Sequence, residues 1–152
     1  MHADILASSA VAATKNHTGT WLLPQAFPEG SPLHPAYNAG HATVAGACVT
    51  LLKFYFNEDY VLPNPVKPDA AGLNLLPYSG PPLTVGGELN KLAANIGIGR
   101  NIAGVHWRSD ATESFKLGEQ VAIAYLRTKK STYNENVPAW TATGFDGTLL
   151  VV

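Results

Sequence analysis

Ten of the eleven prolines fall in two windows, 24–35 and 63–82, and their placement decides where regular structure can run. Proline has no amide donor and its ring clashes with the preceding helical turn, so neither window can hold a helix interior or a central strand. The first window reads as an ordered loop or an approach to a site. The second, within a loop-rich stretch from 57 to 87, is too long for an ordinary connection and reads as loop or short strand docked onto something. Helices are left to the stretches before, between and after them.

Between the windows, His41 to Phe56 is apolar all round and almost without charge, the pattern of a buried helix. Cys48, the only cysteine, lies in this run and is expected to be a small buried thiol. Near the N-terminus, Asp4 to Thr14 predicts a short helix with Asp4 as its cap and Ile5, Leu6 and Val11 on one side. After the second window, Leu89, Leu92, Ala93 and Ile96 recur at spacings of three and four, predicting a helix that ends near Gly97 or Gly99 or runs on to Ala103. Ser109 to Lys130 predicts the clearest helix. Asp110 and Glu113 have capping-box spacing, Ser109 is an alternative cap, and Arg127, Lys129 and Lys130 sit where the dipole favours cations. Asp146-Gly147 before a β-branched run predicts a short strand or hairpin arm. The expected fold is all-α: part of a helical bundle, residues 1–152 as one segment, with long Pro/Gly-rich loops and a short C-terminal β element.

Ten basic and eleven acidic residues give a net charge of −1, which supplies no basic footprint for nucleic acid. No apolar run approaches the ~20 residues of a membrane span, and the N-terminus lacks a basic segment followed by a clean apolar one. Neither a membrane nor nucleic acid is expected as a partner, and localisation stays open. Charged residues are only 14% of the chain, against about 25% in a typical soluble domain. Surface covered by other protein is one explanation.

His2 and His17 have no partner nearby in sequence. His41, reached through Gly40 at the start of an apolar helix, lies beside backbone N–H groups suited to an anion, though a structural histidine would look the same. Arg100, His106 and Asp110 form R-x5-H-x3-D. That set supplies a guanidinium clamp for an oxyanion, an imidazole able to bond its central atom, and a carboxylate able to fix the imidazole tautomer.

The segments LLPQAFPEGSPLHPAYNAGHATVAGACVTLLK and NIGIGRNIAGVHWRSDATESFKLGEQVAI resemble the vanadium-dependent haloperoxidases, especially their bromoperoxidase branch. That family shares its anion site with acid and lipid phosphatases, through a K-x6-R-P, a P-S-G-H and an S-R-x5-H-x3-D element. The resemblance implies the C-terminal part of such an enzyme, with vanadate as cofactor, hydrogen peroxide and bromide or iodide as substrates, and hypohalous acid as product. It implies that His106 bonds the metal, that Arg100 and the Gly40 backbone N–H hold the oxyanion, and that His41 is the acid–base group. Asp110 would orient His106, and His34 matches a second histidine near the site. Phosphate would compete for the same place.

Three departures from the family pattern stand out. Ala39 replaces the serine of the second element, and Gly99 that of the third. No Arg-Pro dipeptide occurs, and the only arginines are Arg100, Arg108 and Arg127, so the K-x6-R-P element is missing. Arg108 and Lys91 read first as solvated charges. Hydrogen bonds to a charged group contribute roughly 1.5–3 kcal/mol each, so this chain is expected to need an N-terminal segment or another subunit, and a homo-oligomer fits the low charge. The alternatives are a phosphatase-like enzyme with His106 as nucleophile, and a non-catalytic fragment or structural subunit.

Overall fold

A computed structural model describes residues 2–22 and 35–152. Most of the first proline window lies outside the described residues, and His34 with it. The elements are α1 (Ala3–Leu6), α2 (Ser9–Thr18), α3 (Gly40–Tyr55), β1 (Val66–Pro68), β2 (Leu75–Pro77), α4 (Val85–Ile102), α5 (Arg108–Lys130), β3 (Thr141–Thr143) and β4 (Leu149–Val151). This is the expected helical bundle. Among the described residues no helix is long and apolar enough to cross a membrane.

The N-terminal helix is two helices rather than one. Ser8 caps α2 by accepting the Val11 N–H on its hydroxyl at 3.3 Å, and His2, not Asp4, occupies the cap position of α1. Serine turned back onto its own backbone favours a helix start over a helix interior. The 57–87 stretch folds partly into the antiparallel β1–β2 hairpin, with Val66 opposite Pro77 and Pro68 opposite Leu75. Asp69 holds its turn, accepting the Leu73 N–H at 3.0 Å and the Asn74 amide at 2.8 Å. The longer of the alternative ends of α4 is the one observed, and Gly104, at φ +82°, turns the chain out of it. The C-terminal hairpin pairs Thr141 with Val151, with Gly147 in its turn at φ +83°.

Helix α3 is the centre of the molecule and packs chiefly on α5, then on α4. Glycines allow this closeness. Backbone atoms of α3, the Thr43 oxygen and the Ala47 nitrogen, occupy the space a Gly118 side chain would fill, while Phe115 of α5 lies against Gly46 and Gly97. Ala39, Ala42 and Ala111 form one core cluster, and Ala45, Val49 and Ala93 another; Phe115 packs against both. The contacts of Ala39 with Ala111 and of Thr43 with Gly118 make α3 and α5 start at the same end. Ala42 beside Gly97 and Lys53 beside Asn90 make α4 run the opposite way and finish there.

Helix α3 is not buried all round. Val44 is 64% and Tyr55 81% exposed, and Cys48 is exposed too, so the expected buried thiol is not found in this chain. An apolar surface is buried only if something covers it, and the described residues cover one side of α3.

Candidate functional site

The end where α3 and α5 begin and α4 finishes collects most of the residues singled out above. Helix α3 starts at Gly40, with His41 second, and its cap residue Ala39 contributes no side-chain hydrogen bond. The first-turn N–H groups of a helix have no acceptor within it. A Cβ built on Gly40 meets no atom within 4 Å, so the main chain there is open to a ligand. Ala39 itself is tied down: its N–H donates to Ser114 Oγ of α5 at 2.8 Å, and its methyl is buried with Ala42 and Ala111. The family's serine position is therefore a core contact in this protein.

Arg100 lies in the last turn of α4, one turn beyond the Gly97 that touches Ala42. A cation at a helix C-terminus is favoured by the dipole. The Val105 N–H closes back on the Arg100 carbonyl at 3.2 Å, and the Asn101 amide donates to the His106 carbonyl at 3.1 Å. These bonds fix the short connection that carries His106. Its side chain is 9% exposed, and among the described residues Nδ1 makes no hydrogen bond but faces Asp110 Oδ2 at 3.6 Å. That separation is just beyond the ~3.2 Å limit of a good N–H···O bond. The same Asp110 oxygen accepts the Trp107 N–H at 3.0 Å. Asp110 is thus the third residue of α5 and bonds back to the cap backbone, which corrects the expected Asp110–Glu113 box and the Ser109 cap. Glu113 instead pairs with Lys116 at 2.9 Å.

The two candidate compensating cations are placed as solvated charges. Lys91 pairs with Glu88 at 2.6 Å on the surface of α4, and Arg108 is exposed at the first position of α5. What this end offers an anion is the N-terminus of α3, which carries a partial positive charge of roughly half a unit, together with Arg100 in the last turn of α4 and His106 just before α5. Among the described residues no group of three or more His, Cys, Asp or Glu could hold a bare metal ion. An oxyanion bonded through a single imidazole needs no such group.

Sequence reasoning missed Lys53. It lies 1% exposed on α3, bonds the Thr143 carbonyl and, at 3.2 Å, Asn90 Oδ1, and rests over the Phe145 ring. Glu119 accepts the Phe145 N–H at 2.9 Å, and Glu58 accepts the Thr143 N–H at 2.8 Å. Burial pushes the Lys53 ammonium below its usual value, opposed by Glu58 and Glu119. The signal was present: Lys53 continues the buried series Ala42, Gly46, Val49 along α3. It secures the C-terminal hairpin to the end of the bundle remote from His106.

Residues 8–135 match the VCPO second helical-bundle domain. Over 135 residues the chain is 52% identical to a vanadium-dependent bromoperoxidase of Corallina officinalis, a match covering 88% of this chain and 22% of that protein. Over 133 residues it is 42% identical to a vanadium-dependent bromoperoxidase of Ascophyllum nodosum, covering 86% and 24%. The homohexameric structure of the second vanadate-dependent bromoperoxidase from Ascophyllum nodosum superposes with a TM-score of 0.78 at 30% identity, over 93% of this chain and 29% of that one. The chain spans less than a quarter of the length of the curated relatives it matches.

Proposed function

From a chain that belongs to the VCPO second helical-bundle domain family, we propose one face of a vanadate-dependent haloperoxidase site, completed by protein beyond these 152 residues. The observation that carries the reading is His106, nearly enclosed and set against the buried carboxylate of Asp110, at the end where α3 and α5 present their N-termini. The open main chain at Gly40, with Arg100 and His106 carried at the same end of the bundle, is a donor set that fits a tetrahedral oxyanion better than a bare cation.

In this reading His106 is the metal ligand, through the ring nitrogen not facing Asp110. The Asp110 carboxylate facing Nδ1 favours a proton on that side of the ring, leaving the other nitrogen to the ligand. Arg100 and the Gly40 N–H neutralise and orient the anion's oxygens. His41 takes a proton from incoming peroxide, and His34 stands in the segment leading to it. Bound vanadate supplies a Lewis acid that activates hydrogen peroxide towards bromide or iodide. Phosphate, an oxyanion of similar shape, competes. Assembly as a homo-oligomer accords with the low charge content, and the similar solved structure is a homohexamer.

The test is vanadate-dependent bromination of monochlorodimedone with peroxide and bromide, by this chain alone and joined to a segment bearing K-x6-R-P. Activity in the joined form, lost with His106→Ala, is expected. No activity in either form, or activity unchanged by His106→Ala, refutes the reading. Turnover of p-nitrophenyl phosphate by the joined form, without bromination, would assign the site to phosphoryl transfer instead.

A further inference from the structure

One stretch of α5 touches both sides of the His106 end. Asp110 faces His106 Nδ1 at 3.6 Å and accepts the Trp107 N–H at 3.0 Å, so it bears on the connection that carries the imidazole. Four residues on, one turn and about 6 Å further along the axis, Ser114 accepts the Ala39 N–H on its hydroxyl at 2.8 Å. Ala39 is the cap of α3 and immediately precedes Gly40 and His41. Both partners of this bond are 0% exposed. A buried N–H that loses its acceptor costs the full desolvation of the group, so the bond is a strong constraint on where α3 begins. Ala39 passes the constraint on: its carbonyl accepts the Thr43 N–H at 2.9 Å and the Thr43 hydroxyl at 3.1 Å, and the Asn38 amide donates to the same hydroxyl at 3.2 Å. The Thr43 carbonyl in turn lies against Gly118, one turn beyond Ser114. The first turn of α3 is thus clamped to α5, while Gly40 and His41 stay exposed.

We propose that Ser114 is a positioning residue: through the Ala39 N–H it fixes the Gly40 main chain and His41 in register with His106, which Asp110 faces from the same helix. Ser114 does not itself touch the anion. Any buried hydrogen bond stabilises a core, but this one also sets an offset. The residues it joins are seventy-five apart in sequence, and α5, continuous from Arg108 to Lys130, carries Asp110 and Ser114 one turn apart. The two arms that have to meet one ligand are therefore spaced by a single helix rather than by a loop. Misplacement by about 1 Å can cost roughly a hundredfold where groups must converge on one centre. The register rests on the bonds above; its use for an oxyanion rests on the proposed function.

Two measurements test this. In the 152-residue chain, amide hydrogen exchange followed by NMR is expected to show Ala39 protected while Gly40 and His41 exchange fast, and Ser114→Ala is expected to speed Ala39 exchange roughly tenfold or more. Ala39 exchanging as fast as Gly40 in the parent overturns the proposal, whether or not the variant folds. In the form joined to the K-x6-R-P segment, vanadate affinity is measured by equilibrium dialysis beside the thermal melt, and Ser114→Ala is expected to weaken binding about tenfold or more. Glu119→Ala is the control. It removes a buried acceptor from the same helix, that of the Phe145 N–H, at the end remote from His106, and should lower Tm with vanadate affinity unchanged. Unchanged affinity in Ser114→Ala, or equal weakening in both variants, identifies a bond that only stabilises and overturns the proposal. A parent joined form that binds no vanadate refutes the proposed function, whereas Ala39 protection lost in Ser114→Ala would still support the clamp, so the two fail separately.

Discussion

Replacing Gly118 with alanine probes a separation between α3 and α5 that the absence of one side chain permits. A Cβ at this position would press on the Thr43 carbonyl oxygen and lie 2.7 Å from the Ala47 nitrogen and 3.0 Å from the Thr43 carbonyl carbon. All three are backbone atoms of α3, so no side chain can swing aside and the helices have to part. Overpacking of this kind destabilises by about 1–3 kcal/mol, and a clash with backbone belongs at the upper end. Alanine's better helix propensity returns about 1 kcal/mol, leaving a net loss of about 2 kcal/mol. Gly99→Ala is the control: it lies in α4 with no atom within 4 Å of a built Cβ, so only the propensity gain applies. For a domain of this size 1 kcal/mol moves Tm by roughly 2–4 °C. Thermal melts are expected to show Gly118→Ala lowered by about 4–8 °C and Gly99→Ala raised by about 2–4 °C. Equal shifts, or shifts of the same sign, would refute the close-approach argument.

Two further outcomes follow from buried polar groups. Thr50 is fully buried on α3, and its hydroxyl has no hydrogen-bond partner among the described residues, so Thr50→Val is expected to raise stability by about 1 kcal/mol in urea melts; a loss of that size would mean the hydroxyl is satisfied. Lys53 gives a pH dependence. Its ammonium titrates below the usual 10.5 in the folded protein, so between the two values the unfolded chain holds more protons and stability rises with pH, levelling above 10.5. Lys116, whose value Glu113 raises, contributes with the opposite sign, so the comparison is made against Lys53→Met. The parent should gain stability relative to the variant as pH approaches 10.5, and parallel curves would show that burial of Lys53 does not govern its proton.

Much of the bundle could be read from spacing. The proline windows bounded α3 and the start of α4, the 3–4 periodicity found α4, and the acidic start and basic end found α5. The Arg100–His106–Asp110 set was visible because its members lie within eleven residues at the junction of two helices. His41 needed the resemblance, since nothing local distinguishes a histidine that meets a ligand from one that meets a carbonyl. The cap of α1 was misassigned because Asp4 and Ser8 are both good capping residues and sequence does not rank their hydrogen bonds. Cys48 misled for a different reason: an apolar neighbourhood says that a residue tolerates burial, not that the cover belongs to the same stretch of chain. Lys53 was overlooked because a lone lysine in an apolar run reads as a flexible stem reaching water, and its carbonyl acceptor lies ninety residues away.

That distance also sets an order of assembly on the ribosome. The contacts that define the His106 end, Ala39 with Ser114 and Thr43 with Gly118, involve residues made by position 118. The opposite end has to wait, because Lys53 has no Thr143 carbonyl, and Glu119 no Phe145 amide, until some twenty-five further residues emerge. Vectorial synthesis therefore shapes the His106 end first, while the far end waits around an ammonium that has met Asn90 but not yet its carbonyl partner.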